Sequence, residues 1–134
     1  MRRISFDEAV KILYGGKSFN LEKSDIQLMD DSFNFLKDFS RDKVIYGINT
    51  GFGPMAQWRV DDKSLKELQY NIIRSHSAGA GECLSDICVK AAMIARVGTF
   101  LQGRSGIHPD VVKLLVEFIN RGICPYVPSH GSVG

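Results

Sequence analysis

The sequence contains few of the residues that mark specialised classes of protein. Only three cysteines and one tryptophan occur among its 134 residues. The spacing of Cys83, Cys88 and Cys124 fits neither a zinc ribbon nor a redox Cys-x-x-Cys motif. Basic residues outnumber acidic residues by only 17 to 15, and no basic run is interleaved with aromatic residues. We therefore predict reduced thiols, no metal site and no nucleic-acid partner.

Long apolar runs are also absent. The first apolar residues, Ile4 and Phe6, are followed at once by Asp7 and Glu8, which is not the pattern of a signal peptide. No run reaches the roughly 18 apolar residues that a membrane span requires. The composition, 44% hydrophobic and 24% charged, is that of an ordinary globular protein. We therefore predict a cytoplasmic protein without a membrane partner.

Apolar residues at helical spacing predict a mainly α chain. Ser5 is a candidate N-cap for a short first helix, and Gly15 follows its end. Pro109 stands at the first turn of the last helix, where proline is tolerated, and Gly122 closes that helix. Further helices are predicted over about residues 23–39, 61–78 and 84–102. Short extended segments are expected near the N-terminus, one of them beginning at Val44, and residues 79–81 and 125–134 are expected to be loops.

For two of these helices, the spacing of apolar residues predicts which face is buried. On the helix that begins near residue 64, the predicted buried face comprises Leu65, Leu68, Ile72 and His76. On the last helix, the predicted apolar stripe comprises Val111, Leu114, Leu115 and Phe118.

A glycine-rich segment, residues 46–53, contains the first candidate for chemistry. It reads Tyr-Gly-Ile-Asn-Thr-Gly-Phe-Gly, and Gly47, Gly51 and Gly53 permit turns and a close approach of the backbone to a ligand. The phenol of Tyr46 has an ordinary pKa of about 10, so it becomes a useful base only where a neighbouring charge stabilises the phenolate. A plain turn with Tyr46 packed as a structural aromatic residue fits the same spacing.

His76 is the second candidate. One interpretation is a ligand-facing imidazole that hydrogen-bonds or moves a proton near neutral pH, with Ser75 lining the same pocket from the flank. The other is a hydrogen-bonded histidine of the core. The C-terminal residues 130–134 are not a serine nucleophile elbow, because His130 stands where Gly-x-Ser-x-Gly requires glycine.

Four motifs together resemble the histidine and aromatic amino-acid ammonia-lyases, in the same order and at the same spacing. The resemblance begins near residue 4 and covers essentially the whole chain. The motifs are residues 46–53, Leu68-Gln69 leading to Ser75-His76 and Ala78-Gly79, residues 103–107, and residues 128–134. The resemblance implies a mainly α fold, the N-terminal portion of the aspartase-like helical bundle of the ammonia-lyases. It implies that residues 1–134 are a single segment, the N-terminal domain of a larger enzyme.

The resemblance also implies a prosthetic group beyond the end of the chain. In the family, Gly-Ser-Val-Gly is followed by Ala-Ser-Gly, which cyclises and loses water to give the electrophile 4-methylidene-imidazol-5-one (MIO). We therefore expect Ala-Ser-Gly just after Gly134, so that Ser132 is not the modified serine and no electrophile lies within these residues. The implied partners are a small aromatic amino acid, the remainder of the same polypeptide, and three further subunits of a homotetramer with shared active sites.

The family pattern assigns a role to each matching residue. Tyr46 is implied to be the catalytic base or its proton partner, on a mobile loop that covers the pocket. Asn49 and Gly53 are implied to shape this loop against substrate and prosthetic group, with Gly47 and Gly51 as loop-shaping glycines. His76 is implied to contact the aromatic ring of the substrate, with Ser75 beside it.

Two residue patterns indicate different substrates. The pair Ser75-His76 is typical of histidine enzymes, which places histidine first. Residues 53–57, Gly-Pro-Met-Ala-Gln, look closer to a bacterial subgroup that acts on tyrosine, which places tyrosine second and phenylalanine third. An aminomutase, which re-adds the ammonia, shares the early steps. The alternative from another class is a non-catalytic, truncated helical module that uses the glycine loop for binding.

Overall fold

The computed structural model describes residues 2–61 and 63–131, and it confirms the mainly α prediction. Ser132, Val133 and Gly134, which we predict to lead into the modified tripeptide, lie outside the described residues. The helices are α1 (Phe6–Tyr14), α2 (Lys23–Phe39), α3 (Leu65–His76), α4 (Asp86–Phe100) and α5 (Pro109–Arg121), with one 3₁₀ turn at Gly53–Met55. The strands are β1 (Gly79–Cys83) and β2 (Pro128–Gly131).

Local sequence signals explain where the first and last helices begin and end. The Ser5 hydroxyl accepts a hydrogen bond from the Glu8 amide at 3.1 Å, which satisfies one of the free N–H groups of the first turn. At the start of α5, the His108 Nδ1 accepts from the Asp110 amide at 3.2 Å. Gly122 ends α5 in the left-handed conformation, with φ of 66°.

The described chain divides into two compact units. The first unit comprises residues 2–36 and 83–127, and the second comprises residues 37–61, 63–82 and 128–131. In the first unit, α4 packs against both α1 and α5. The core of this unit consists of Ile12, Phe19, Met29, Val89, Met93, Ile94, Val97, Leu101, Val112, Val116 and Ile119.

The predicted apolar stripe of α5 was wrong by a rotation about the helix axis. Val112, Val116 and Ile119 are buried, whereas Val111 and Leu114 are exposed. The other two residues of the predicted stripe, at positions 115 and 118, are half-buried. The reason is that the apolar residues of α5 cover an arc wider than one stripe, so that helical spacing allows two adjacent stripes and packing against α4 selects between them.

In the second unit, two segments differ from the sequence prediction. Residues 79–81 and 128–131, expected to be loops, belong to β1 and β2, which are hydrogen-bonded to each other as a two-stranded sheet. Each strand supplies hydrogen-bond partners for the backbone groups of the other, and the local sequence of neither segment predicts this pairing. The extended segment expected at Val44 is instead irregular chain that runs into a turn at residues 46–48.

None of the described helices combines the length and the apolar composition that crossing a bilayer demands.

Candidate functional site

The glycine loop, residues 46–53, is held from inside by the Asn49 side chain. Asn49 is only 4% exposed. Its Oδ1 accepts a hydrogen bond from the Ile45 amide at 2.8 Å. Its Nδ2 donates to the carbonyl oxygens of Ser40 at 3.1 Å and Lys43 at 2.7 Å. Both amide protons are therefore engaged, so a direct contact between Asn49 and a substrate would use the remaining lone pair of Oδ1 or a rearranged loop.

A short backbone ladder closes the far side of the loop. Thr50 is fully buried and forms an isolated antiparallel bridge with Arg59. The Gly51 amide donates to the Trp58 carbonyl at 3.2 Å, and the Gly47 amide donates to the Thr50 hydroxyl at 3.3 Å. The loop is thus a folded hairpin-like structure rather than a free strap.

The three predicted loop glycines meet different physical requirements. Gly47 and Gly53 have φ of 78° and 55°, in the left-handed region that favours glycine. Gly51 is needed for space, because a Cβ at this position would lie 2.6 Å from the Met55 Cβ and 2.8 Å from the Met55 carbonyl oxygen. The loop-shaping role of Gly47 and Gly51 stays a prediction, with which these geometric requirements are compatible.

Tyr46 stands on the outside of this framework. Its side chain is 62% exposed, and its ring meets the Phe52 ring edge-on, with 5.5 Å between the centroids. Within residues 2–61 and 63–131, its hydroxyl has no hydrogen-bond partner and no ion-pair partner. If Tyr46 acts as a base, the charge that stabilises its phenolate has to come from outside the described residues.

His76 is the last residue of α3, and its predicted burial was wrong. Leu65, Leu68 and Ile72 are half-buried, but His76 is exposed, because no described segment of the second unit covers the last turn of the helix. The interpretation of His76 as a core histidine is wrong for the same reason. The exposed ring remains available to a ligand.

Hydrogen bonds fix the orientation and the tautomer of the His76 ring. Its Nδ1 lies 2.9 Å from the Ile72 carbonyl oxygen and 3.0 Å from the Ser75 hydroxyl. A carbonyl only accepts, so the proton of the neutral ring is assigned to Nδ1, and Nε2 is left as an acceptor. The Ser75 hydroxyl donates to the same Ile72 carbonyl at 3.1 Å. Ser75 therefore supports the ring that it adjoins.

The sheet formed by β1 and β2 connects this histidine to the C-terminal segment. β1 begins three residues after His76, and β2 ends at Gly131, three residues before Gly134. A small cavity of about 310 Å³ opens on the sheet, lined by Ala78, Gly79, Ala80, His130 and Gly131. The Nδ1 of His130 is hydrogen-bonded to the Ser129 hydroxyl at 3.0 Å.

The structure gathers all the predicted site residues into the second unit, together with β2. In the part of the chain that the structure describes, no hydrogen bond, ion pair or ring contact joins Tyr46 to His76. A second cavity of about 200 Å³, beside Asn49, is lined by Ser40, Arg41, Ile48, Asn49, Arg59 and Leu65. A larger apolar cavity of about 660 Å³ between α1 and α4 belongs to the first unit and contains none of the predicted site residues.

Sequence reasoning missed Thr50 and Arg59 as parts of the loop framework. The Arg59 guanidinium donates to the Arg41 carbonyl at 2.9 Å, which ties the returning strand of the loop to the segment before it. No local pattern signals either residue, because both act through pairing across the loop. Within the described ranges, no group of three or more His, Cys, Asp or Glu side chains could hold a metal ion.

Comparisons with known proteins agree on one family. The model of the aromatic amino acid lyases matches residues 4–134. The tyrosine 2,3-aminomutase of Chondromyces crocatus is 50% identical over 90 residues, which are 67% of this chain and 17% of that protein. The histidine ammonia-lyase of Gloeobacter violaceus is 36% identical over 132 residues, which are 98% of this chain and 26% of that protein.

A solved structure supports the fold. The X-ray structure of tyrosine aminomutase from Streptomyces globisporus matches with a TM-score of 0.88 at 29% identity, over 98% of this chain and 25% of that chain. This chain thus spans about a quarter, or less, of the length of the proteins that it matches. The fold class predicted from the sequence is confirmed, and the chain belongs to the aromatic amino acid lyase family.

Proposed function

We propose that the complete protein is a carbon–nitrogen lyase that eliminates ammonia from an aromatic amino acid. The substrate that we rank first is L-histidine, whose elimination gives urocanate. Residues 1–134 are its N-terminal domain in this proposal. The observation that carries it is the second unit, in which the Tyr46 loop, the Ser75-His76 pair and the strand that leads towards Gly134 occur together. The match to the aromatic amino acid lyases over residues 4–134 supports it.

The proposed prosthetic group is 4-methylidene-imidazol-5-one, formed without another protein from an Ala-Ser-Gly just after Gly134. The residues of this chain fit such a group in one respect that the structure describes: β2 is paired with β1 as far as Gly131, and Gly79 and Gly131 have no side chain that would separate the strands. When present, the group supplies an electrophile that bonds the substrate and divides a hard elimination into easier steps.

Tyr46 is the proposed base that removes the β-proton of the substrate. Its hydroxyl is exposed and is not engaged by any described residue, while Asn49 and Thr50 fix the backbone beneath it. A base in place contributes about 10²–10⁴-fold to a proton transfer. A loop that covers the pocket also excludes water from reactive groups.

His76 is the proposed contact for the substrate ring. With the proton on Nδ1, its Nε2 accepts a hydrogen bond from an imidazole N–H or from a phenol O–H. Both histidine and tyrosine satisfy this acceptor, whereas phenylalanine leaves it unpaired. The Ile72 carbonyl holds this tautomer, and Ser75 is bonded to the same carbonyl. Gly53 and Asn49 define the wall of the loop that faces the substrate.

Tyrosine is the second candidate substrate, with elimination to 4-coumarate or conversion by an aminomutase. The 50% identity over 90 residues to a tyrosine 2,3-aminomutase favours this alternative. We further propose a cytoplasmic homotetramer with shared active sites, which light scattering of the complete protein tests. The alternative of a non-catalytic binding module predicts instead that the complete protein turns over neither amino acid.

The decisive experiment is Tyr46→Phe in the complete protein. We expect kcat for histidine, or for tyrosine, to fall by about 10²–10⁴-fold, because the hydroxyl is the group that takes the proton. Thermal stability should change little, since that hydroxyl makes no hydrogen bond to a described residue. Tyr126→Phe is the matched control, because Tyr126 is similarly exposed and lies in the first unit. Equal activity of Tyr46→Phe and the parent would remove the proposed role.

The substrate assignment is tested by His76→Leu. We expect kcat/KM to decrease for histidine and to increase for phenylalanine, because leucine removes the Nε2 acceptor and offers an apolar contact. His108→Asn, which retains an acceptor at the start of α5, is the control for loss of a histidine elsewhere. An unchanged substrate profile of His76→Leu would place this residue outside the pocket.

A further inference from the structure

We propose that the β1–β2 sheet is a positioning device for the self-cyclisation of the tripeptide expected after Gly134, and that Gly79 is its principal positioning residue. The inference rests on the proposed function. It concerns how the chain is prepared for the reaction that makes the prosthetic group, and it assigns a role to strands that the sequence did not reveal.

The approach that leaves no room for a side chain against a rigid neighbour is between Gly79 and Pro128. A Cβ added at Gly79 would lie 2.6 Å from the Cγ of Pro128, 3.0 Å from its Cβ and 3.3 Å from its Cδ. The φ of Gly79 is outside the left-handed region, so glycine is required here for space and not for backbone conformation. The proline ring is fixed to its own backbone and cannot rotate away as a flexible side chain can.

Two more glycines show the same exclusion of side chains. A Cβ at Gly81 would lie 2.6 Å from the Ser129 Oγ and 2.7 Å from the His130 Nδ1. A Cβ at Gly131 would lie 3.0 Å from the Ala78 carbonyl oxygen. The strands therefore approach closely at Gly79 and at Gly131, whereas Gly81, with φ of 85°, faces the ends of two flexible side chains.

The chemistry explains why a fixed lead-in strand matters. Cyclisation forms one bond, between the amide nitrogen of the glycine and the carbonyl carbon of the alanine in the tripeptide. One water takes the alanine carbonyl oxygen with two amide protons, and a second takes the serine hydroxyl with the serine α-proton, so no oxidant or reductant is needed. A backbone amide is a weak nucleophile, and ring closure depends on holding the reacting atoms in a bent arrangement that a free chain seldom adopts.

The sheet supplies one fixed end of that arrangement. Because Pro128 sits against Gly79 without an intervening Cβ, β2 has one position along β1, and the residues that follow it start from a defined point. A side chain at position 79 would push β2 away from β1 and release this end. Unlike the residues of the glycine loop, Gly79 is proposed to act before any substrate binds.

The test is Gly79→Ala in the complete protein, with Gly98→Ala as the matched control. A Cβ at Gly98, in α4, would meet the Ile4 Cδ1 at an ordinary distance of 3.4 Å. The measurement is the fraction of peptides spanning the tripeptide that have lost two waters, by mass spectrometry at fixed times after synthesis, beside the thermal unfolding midpoint. We expect the rate of dehydration to fall by about tenfold in Gly79→Ala, the order expected of an overpacked contact, and to be unchanged in Gly98→Ala.

A second-site variant distinguishes positioning from a general loss of stability. Pro128→Ala removes the Cγ and Cδ atoms and leaves only the 3.0 Å contact, so Gly79→Ala/Pro128→Ala should recover most of the parent's dehydration rate. If Gly79→Ala does not fold, the dehydration rate is measured in Gly131→Ala instead, where the added Cβ is less crowded. Dehydration at the parent's rate in the folded glycine variant would overturn the inference.

The parent protein separates this inference from the proposed function. If the complete parent retains both waters, the proposed prosthetic group is wrong, and the positioning role is overturned with it. If the parent loses both waters and the Gly79→Ala variant loses them equally fast, only the positioning role is overturned. The readout is a mass, so neither result depends on an activity assay.

Discussion

Replacing Asn49 by alanine should release the glycine loop. The Asn49 side chain makes three hydrogen bonds to backbone groups, one to the Ile45 amide and two to the carbonyls of Ser40 and Lys43. All three groups precede the turn that carries Tyr46, whereas Asn49 follows it, so this side chain joins the two sides of the turn. The substitution removes all three bonds at once and leaves a small void, because Asn49 is 4% exposed.

The magnitude follows from the number of bonds. A hydrogen bond contributes about 1 kcal/mol net, so the local free energy of opening of the loop should fall by about 3 kcal/mol. That loss is equivalent to an increase of about two orders of magnitude in the opening equilibrium. Asn49→Asp should cost at least as much, because it places a second carboxylate oxygen against the two carbonyls to which Nδ2 now donates.

Native-state hydrogen exchange of the Ile45 amide measures this effect directly, since that amide donates to Asn49 Oδ1. Its exchange should accelerate about a hundredfold in Asn49→Ala. Asn34→Ala is the matched control: Asn34 is exposed on α2 and bonds only to Asp30, so the change should stay within about 0.5 kcal/mol. Exchange of the Ile45 amide within about threefold of the parent would refute the view that Asn49 holds the loop.

Three further predictions concern other contacts. Gly51→Ala should destabilise the second unit by about 1–3 kcal/mol in urea unfolding, because its Cβ has no room against the 3₁₀ turn, and a change below about 0.5 kcal/mol would contradict the close approach. Asn120→Ala should cost the first unit about 2 kcal/mol by the same measurement, since its amide bonds both the N–H and the carbonyl of Phe19 at 2.8 and 2.9 Å. The hydrogen bond from Lys113 lowers the pKa of Asp110, so an NMR titration of Asp110 should give a value below the ordinary carboxyl range that rises in Lys113→Ala. Because the pKa of Asp110 is lower in the folded protein than in the unfolded one, its pairing with Lys113 stabilises the fold at pH values above the unfolded pKa. This stabilisation is lost as the pH falls through the folded pKa. An unchanged Asp110 pKa in Lys113→Ala would exclude the pairing in solution.

Helix positions were predictable where the determining signal is local. Ser5 caps α1 and Gly122 ends α5 as expected, because a cap acts within one turn of its own residue. His76 shows the limit of this reasoning: its position on α3 was predicted, but its exposure depends on whether another segment covers the last turn.

The candidate site also has features that the sequence predicted and features that it did not. Four motifs in order, of which residues 46–53 are one, identified the family, and the family model confirms that identification over residues 4–134. The roles of Tyr46, Ser75 and His76 stay predictions. The internal position of Asn49 was not predictable, because the sequence is the same whether this polar side chain faces a ligand or bonds three backbone groups of the segment before the loop.

The sequence by itself determined the mainly α class, the start of the first helix, the end of the last helix and the family, because capping, turn formation and motif order depend on residues that are close along the chain. Only the tertiary structure decided which face of α5 is buried and that residues 79–83 pair with residues 128–131. Both outcomes depend on contacts between segments far apart in sequence, where many residue patterns are compatible with either arrangement and the packing of neighbouring backbone and side chains selects one.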